Sequence, residues 1–206
     1  MNKVIGFHAY KQATILQHDD IQNKLKDLFS QKMPSQILEI GTAAGGLSLM
    51  VRDTLDEVGL LNSQFRTYDV FDINRPELKL IIDAGANVDL RIKNVFNHAY
   101  SDLLDEYVEE IQSFIQQEGT TIVMCDGGSK KNEFNILARF LKQGDIIMAH
   151  DYAPTLEYFE EHVNNKIWNW FEIQDSDIQE TVEKYNLEPF MQEDFQQVVW
   201  VCKTKK

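Results

Sequence analysis

Between residues 36 and 149, short apolar runs alternate with longer stretches whose apolar residues recur at helical spacing, and this alternation constrains the fold more than any other feature. Gln36 to Gly41, Phe65 to Val70, Asn87 to Phe96, Thr120 to Cys125 and Asp145 to Ala149 read as strands. Between them, Leu47 to Leu60, Pro76 to Ala84, Tyr100 to Gln117 and Lys130 to Leu141 read as helices; Gly119 and Gly144 follow the last two. Strands separated by helices of this length form βαβ units with right-handed crossovers. The expected fold is therefore α/β, with a Rossmann-like, seven-stranded, mostly parallel sheet and helices on both faces. Trp168 to Ile173 and Gln197 to Lys203 supply the last two strands, and Thr155 to Asn164 a further helix. Upstream, Ile21, Leu25, Leu28 and Phe29 mark a helix that Asp19 or Asp20 would cap and Pro34 would stop. The chain shows no linker, repeat or low-complexity tract. Residues 1–206 are expected to form one domain, with an N-terminal helical segment over 1–33 and acceptor-side and C-terminal strands over 155–206.

Composition narrows the function classes. Hydrophobic residues make up 43% and charged residues 26% of the 206, which is ordinary for a globular chain and opposes disorder or coiled coil. The formal net charge of −13 disfavours nucleic acid and anionic membranes, both of which ask for a basic footprint. Thr155 to Phe195 holds eleven acidic residues against Lys166 and Lys184, a solvated face or a lid that repels anions. Cys125 and Cys202 sit in apolar runs and should pack as small hydrophobes. No stretch reaches membrane-spanning length and the start lacks a signal-type apolar core, so a cytoplasmic location is expected. A homo-oligomer is left open.

In open parallel sheets, ligands collect at the carboxyl ends of the strands. After the first strand comes Glu39-Ile40-Gly41-Thr42-Ala43-Ala44-Gly45-Gly46, a corner in which glycine lets backbone and ligand approach closely. The dinucleotide fingerprint would need glycine where Ala43 stands, and Glu39 suits a cationic ligand group better than a pyrophosphate. After the second strand, Asp69 can accept both hydroxyls of a ribose; Asp72 or Asn74 fits better as a cap for the next helix. Asn94, at the third strand's end, offers an amide to an adenine edge. After the fourth and fifth strands, Asp126 and His150-Asp151 would converge, and two carboxylates with an imidazole could hold a divalent ion. Lys130 opens a helix, where the dipole disfavours a cation, which points to a functional use.

The ordered set ILEIGTAAGG, YDVFD, CDGG and AHDY resembles the class I S-adenosylmethionine (SAM)-dependent methyltransferases. The likeness is closer to their cephalosporin hydroxylase-like and glycosyl O-methyltransferase branch, which also tends to carry a glutamine, here Gln17, before an Asp-led helix. It runs from about Gln17 to Tyr152. It implies that Glu39, Gly41, Thr42 and Gly45 hold the methionine end of SAM, that Asp69 holds its ribose, and that Asn94 and Asp126 complete the cofactor site. It implies Mg²⁺ on Asp126 and Asp151, with His150 beside them, and a hydroxylated small-molecule acceptor served by His150, Lys130 and Asp126. Two departures bear on the metal and the base: Ser129 stands where the branch often has histidine, and its acidic pair becomes His150-Asp151. Nothing implies hydroxylation.

Two other readings share the fold. One is a SAM-binding module that transfers no methyl group. The other is a nicotinamide-dependent dehydrogenase, which Ala43 and Glu39 oppose. The acceptor is expected against the N-terminal segment and the Ile173 to Phe195 insertion, where His8, Tyr10, Trp168 and Trp170 are candidate lining residues.

Overall fold

The computed structural model describes residues 8–71 and 76–206. Its main sheet has seven strands: β3 (Gln36–Ile40), β4 (Gln64–Asp69), β5 (Val88–Ile92), β6 (Thr121–Cys125), β7 (Ile146–Ala149), β8 (Leu187–Pro189) and β9 (Val201–Lys205). They lie in the order β5-β4-β3-β6-β7-β9-β8. The first five run parallel, and β9 enters antiparallel to both β7 and β8. The chain reverses direction across the sheet between β3 and β6, which makes their carboxyl ends the switch point where ligand crevices form.

The central strands are buried on both faces. In β6, Val123 and Cys125 point into one core and Ile122 and Met124 into the other; Ile147 and Ala149 of β7 part from Ile146 and Met148 in the same way. Such strands read as continuous apolar runs because helices cover both sides. On one side lie α1 (Ile21–Lys32) and α2 (Gly46–Glu57); on the other lie α4 (Asp105–Ile115), α5 (Lys130–Leu137) and α7 (Asp175–Lys184). In α1, the buried residues are Ile21, Leu25, Leu28 and Phe29, and Met33 ends it in a left-handed turn before Pro34. Asp20 stands at the cap position without a side-chain bond to the helix backbone; its carboxylate takes the Asn23 amide instead. Cys125 and Cys202 are both buried and unbridged.

Several boundaries differ from the sequence expectation. Trp168 to Ile173 is not a strand of the sheet. It runs irregularly across the strand ends, tied by single bridges from Ile173 to Tyr152 and from Trp168 to Asn164. Trp168 is buried while Trp170, which a strand would place on the same face, is 41% exposed. The missing strand is β8, only three residues long; it pairs with β9 alone, and such an edge tolerates Pro189. Residues 8–15 form a hairpin, β1 (His8–Tyr10) and β2 (Ala13–Ile15), rather than part of a helical segment; Lys11 and Gln12 both take left-handed conformations to turn it. The helix expected from Tyr100 begins at Asp105, because Asn97 and Ser101 close a turn on each other. α5 tightens into a 3₁₀ turn after Leu137, and the stretch from Thr155 to Asn164 contains a short α6 (Leu156–Tyr158) widening into a π turn. Asp72, Asn74 and the side chain of His8 lie outside the described residues. Among the described residues, no helix is long and apolar enough to cross a membrane.

Candidate active site

The corner after β3 is built by backbone crowding. Gly41 has φ +98°, and a Cβ there would stand 2.2 Å from the Asp126 carbonyl oxygen, beyond the end of β6. Gly46 is equally tight: a Cβ would meet the Thr14 carbonyl of β2 at 2.4 Å, so this glycine admits the hairpin. Gly45, at φ +86°, turns the chain into α2, faces Leu78 and reaches neither cavity described below.

Glu39 is fully buried and lines neither cavity. Its Oε2 accepts the Ser48 and Thr67 hydroxyls, and Thr67 in turn pairs with the Thr42 hydroxyl. Burial pushes its carboxyl up to about 7. Glu39 therefore braces the corner from beneath, through Ser48, Thr67 and Thr42, where the resemblance implies contact with the methionine end of SAM.

A cavity of about 730 Å³ opens between the ends of β3, β4, β5 and β6. Asp69 is fixed at its rim, where Oδ2 accepts the Ala43 N–H at 2.7 Å and Oδ1 the Phe71 N–H at 3.0 Å. Asn94 also lines the cavity, with its Oδ1 taking the Phe96 N–H. Sequence reasoning missed four lining aromatics: Tyr68, Phe71, which is 66% exposed, and Tyr100 stacked on Phe96 with ring centres 5.2 Å apart. The apolar residues that follow the strand-end polar groups were the available signal. Glu133 supports the floor: its buried carboxylate accepts the Gly127 and Ser129 N–H groups, and burial pushes it up to about 7.

A second cavity, of about 260 Å³, meets the first at Gly41, Ala43 and Asp126. Thr42, Lys130, His150, Asp151, Gln17, Trp170 and Glu172 line it. Asp126, Lys130, His150 and Asp151 thus converge, as their positions after the fourth and fifth strands predict. Gln17 donates to Asp126 Oδ2 at 2.8 Å and accepts the Trp200 indole N–H at 2.9 Å, which fixes the orientation of its amide. His150 Nδ1 lies 3.1 Å from Asp126 Oδ1 and 3.5 Å from Asp151 Oδ1. The imidazole stacks on Trp200 and tilts against Trp168, and its Nε2 is buried without a partner among the described residues. Burial alone would lower its pKa, but the carboxylates of Asp151 and Asp126 raise it.

Asp151 takes a left-handed backbone, φ +58°, which aspartate tolerates better than most residues. Its Oδ1 accepts the Trp168 indole N–H at 2.5 Å and its Oδ2 lies 3.0 Å from Lys130 Nζ. Its carbonyl takes the Glu172 N–H, a further tie between Asp151 and the irregular 168–173 stretch. Lys130 Nζ also contacts Glu172 Oε2 at 3.1 Å, the Gly127 carbonyl at 3.2 Å and Asp126 at 3.9 Å. Desolvation works against its charge, yet Asp126, Asp151 and Glu172 hold its pKa above lysine's usual value. These partners favour its ammonium form. Tyr10 donates to Asp53, and Trp168 is spent on Asp151; of the aromatic candidates, Trp170 reaches this cavity.

Neither a protein-family model nor a curated protein matches the sequence. Solved structures match its shape. CmcI with SAH aligns at TM-score 0.59 and 16% identity, over 96% of this chain and 82% of that one. CmcI with Mg and SAM aligns at TM-score 0.60 and 16% identity, over 95% and 76%. The SAH-bound methyltransferase PaMTH1 from Podospora anserina aligns at TM-score 0.54 and 12% identity, over 90% and 78%. The sheet order and these alignments define the class I methyltransferase fold, as the resemblance implies.

Proposed function

We propose that this protein is a SAM-dependent O-methyltransferase acting on a hydroxyl of a small molecule, with sugars among the candidate acceptors. One observation carries the reading: two cavities at the switch point of this fold, one of nucleoside size and one small and charged, meet at Gly41 and Asp126. The neighbours with SAH and with Mg and SAM support SAM as the ligand of the larger one.

The residues fit that ligand. Asp69, fixed at the rim of the larger cavity, accepts the ribose hydroxyls, and Asn94 reads the adenine edge between Phe71 and Tyr100. Gly41 and Thr42 border the passage between the cavities. With Glu39 sealed in the core, Asp126 is the carboxylate that both cavities present to the cationic end of SAM. SAM supplies a sulfonium-activated methyl group. The remaining work of the protein is to align an acceptor oxygen and to hold its proton. Asp126 Oδ1 and His150 Nδ1 form the proton-holding pair, and Lys130 faces the acceptor as a fixed positive charge. Mg²⁺ does not fit among these groups, because an ammonium already stands between the oxygens it would need. Among the described residues, no group of three or more His, Cys, Asp or Glu side chains is arranged to hold a metal ion.

Incubation with isotope-labelled SAM and a panel of sugars, catechols and other hydroxylated metabolites tests this. Labelled O-methyl product together with SAH is the expected result. SAM binding with no product on any hydroxyl would favour a binding module instead. The acidic surface predicts no transfer to nucleic acid.

A further inference from the structure

Three carboxylates and a carbonyl surround one point in the smaller cavity, and that point is Lys130 Nζ. Asp151 Oδ2 lies 3.0 Å away, Glu172 Oε2 3.1 Å, the Gly127 carbonyl 3.2 Å and Asp126 Oδ1 3.9 Å. An all-oxygen shell of this kind is what a hard divalent cation takes. Here the chain fills it from its own first helical residue, α5 beginning at Lys130. The helix dipole opposes a cation at that place. The ammonium nevertheless stays, with its side chain 8% exposed, because the surrounding carboxylates outweigh the dipole.

The other donor on which a metal would depend is also engaged. His150 Nδ1 is turned toward Asp126, and its Nε2 is walled in between Trp168 and Trp200. Asp151 cannot swing free, since the Trp168 indole holds one oxygen and Lys130 the other. A divalent ion bridging Asp126 and Asp151 would stand against the ammonium, and like charges at such range repel strongly with water largely excluded.

We propose that Lys130 is the resident cation of the acceptor cavity, standing where a divalent ion would bridge Asp126 and Asp151, and that this centre therefore binds no divalent metal. The inference rests on the methyltransferase reading for its chemical meaning, but the occupancy of the cation position is a property of the fold alone. The three N–H donors of the ammonium go to Asp151, Glu172 and Gly127. Of these partners, Glu172 is the most open, with its side chain 41% exposed. An acceptor oxygen would take its place on Nζ, so the ammonium meets the acceptor as a donor and a positive charge, the part a metal plays elsewhere.

Mn²⁺ titrated into the chelator-stripped full chain, followed by electron paramagnetic resonance, tests this. The wild-type protein should show only the signal of aqueous Mn²⁺. Folded Lys130→Ala should bind one Mn²⁺ per chain, and adding Asp151→Asn to that variant should abolish the binding. Two results would overturn the proposal: Mn²⁺ binding by the wild type that Asp126→Asn or Asp151→Asn removes, or a Lys130→Ala protein with native circular dichroism that takes up no Mn²⁺. Should Lys130→Ala not fold, the wild-type titration decides alone, since binding lost in Asp151→Asn refutes the proposal and its absence supports it. SAM titrated into the same preparations separates the two readings: failure to bind SAM would overturn the methyltransferase assignment and leave the Mn²⁺ result standing.

Discussion

The carbonyl oxygen of Asp126 occupies the space that a side chain on Gly41 would need, 2.2 Å from an ideal Cβ. These residues end two neighbouring parallel strands, β3 and β6, and both border the larger and the smaller cavity. The closeness of the two loops is what joins the cavities, and it depends on glycine twice, for the space and for φ +98°.

Gly41→Ala should therefore destabilise the protein by about 2–4 kcal/mol, since steric overlap and a left-handed backbone act together. Gly85→Ala is the control: its φ is also positive, +93°, but nothing lies within 4 Å of the added Cβ. Denaturant unfolding of both variants measures the difference, and equal losses would show that backbone conformation alone, not the Asp126 contact, sets the cost.

Trp168→Phe should cost about 1.5–3 kcal/mol through loss of the hydrogen bond to the Asp151 carboxylate. The exposed Trp170→Phe should stay within about 0.5 kcal/mol of wild type. Chemical unfolding at neutral pH compares them; a Trp168→Phe protein as stable as Trp170→Phe would show that the indole N–H is not what holds Asp151.

Glu39 makes stability depend on pH. Its carboxyl is pushed up to about 7 by burial, above the ordinary value near 4.5. A raised carboxyl favours the fold fully below the ordinary value, and that contribution is lost as pH rises through about 7. Glu39→Gln keeps an oxygen for Ser48 and Thr67 and cannot ionise. Its stability relative to wild type should improve between about pH 5 and pH 8. Melting temperatures of the pair across that range give the answer, and a gap that does not change with pH would contradict it.

Much of the fold was legible because the central strands β6 and β7 are buried on both faces and read as unbroken apolar runs, Ile122 to Cys125 most plainly, while β4 and β5 mix apolar and polar residues as partly covered strands do. The edge was not: Leu187–Pro189 owes its place to β9 and carries no strand pattern of its own, while Trp168 to Ile173 imitates one through its aromatic residues, Trp168, Trp170 and Phe171. At the site, residue types at strand ends located Asp69, Asn94, Asp126, Lys130, His150 and Asp151. Side-chain direction was beyond reach. Glu39 lies in the right strand but points into the core, and Lys130 holds the centre of a carboxylate cluster that spacing alone suggests for a metal. Tyr100 and Glu172 come from irregular segments, which periodicity does not describe.

Calorimetric titration with SAM, run on the wild type and on Asp69→Ala, tests the central claim most directly. The wild type should bind one SAM per chain. Asp69→Ala, with its fold verified by circular dichroism, should bind about 5- to 150-fold more weakly, the equivalent of about 1–3 kcal/mol of charge-assisted hydrogen bonding to the ribose. A folded wild-type protein that binds no SAM, or an Asp69→Ala protein that binds it as tightly as the wild type, would contradict the account.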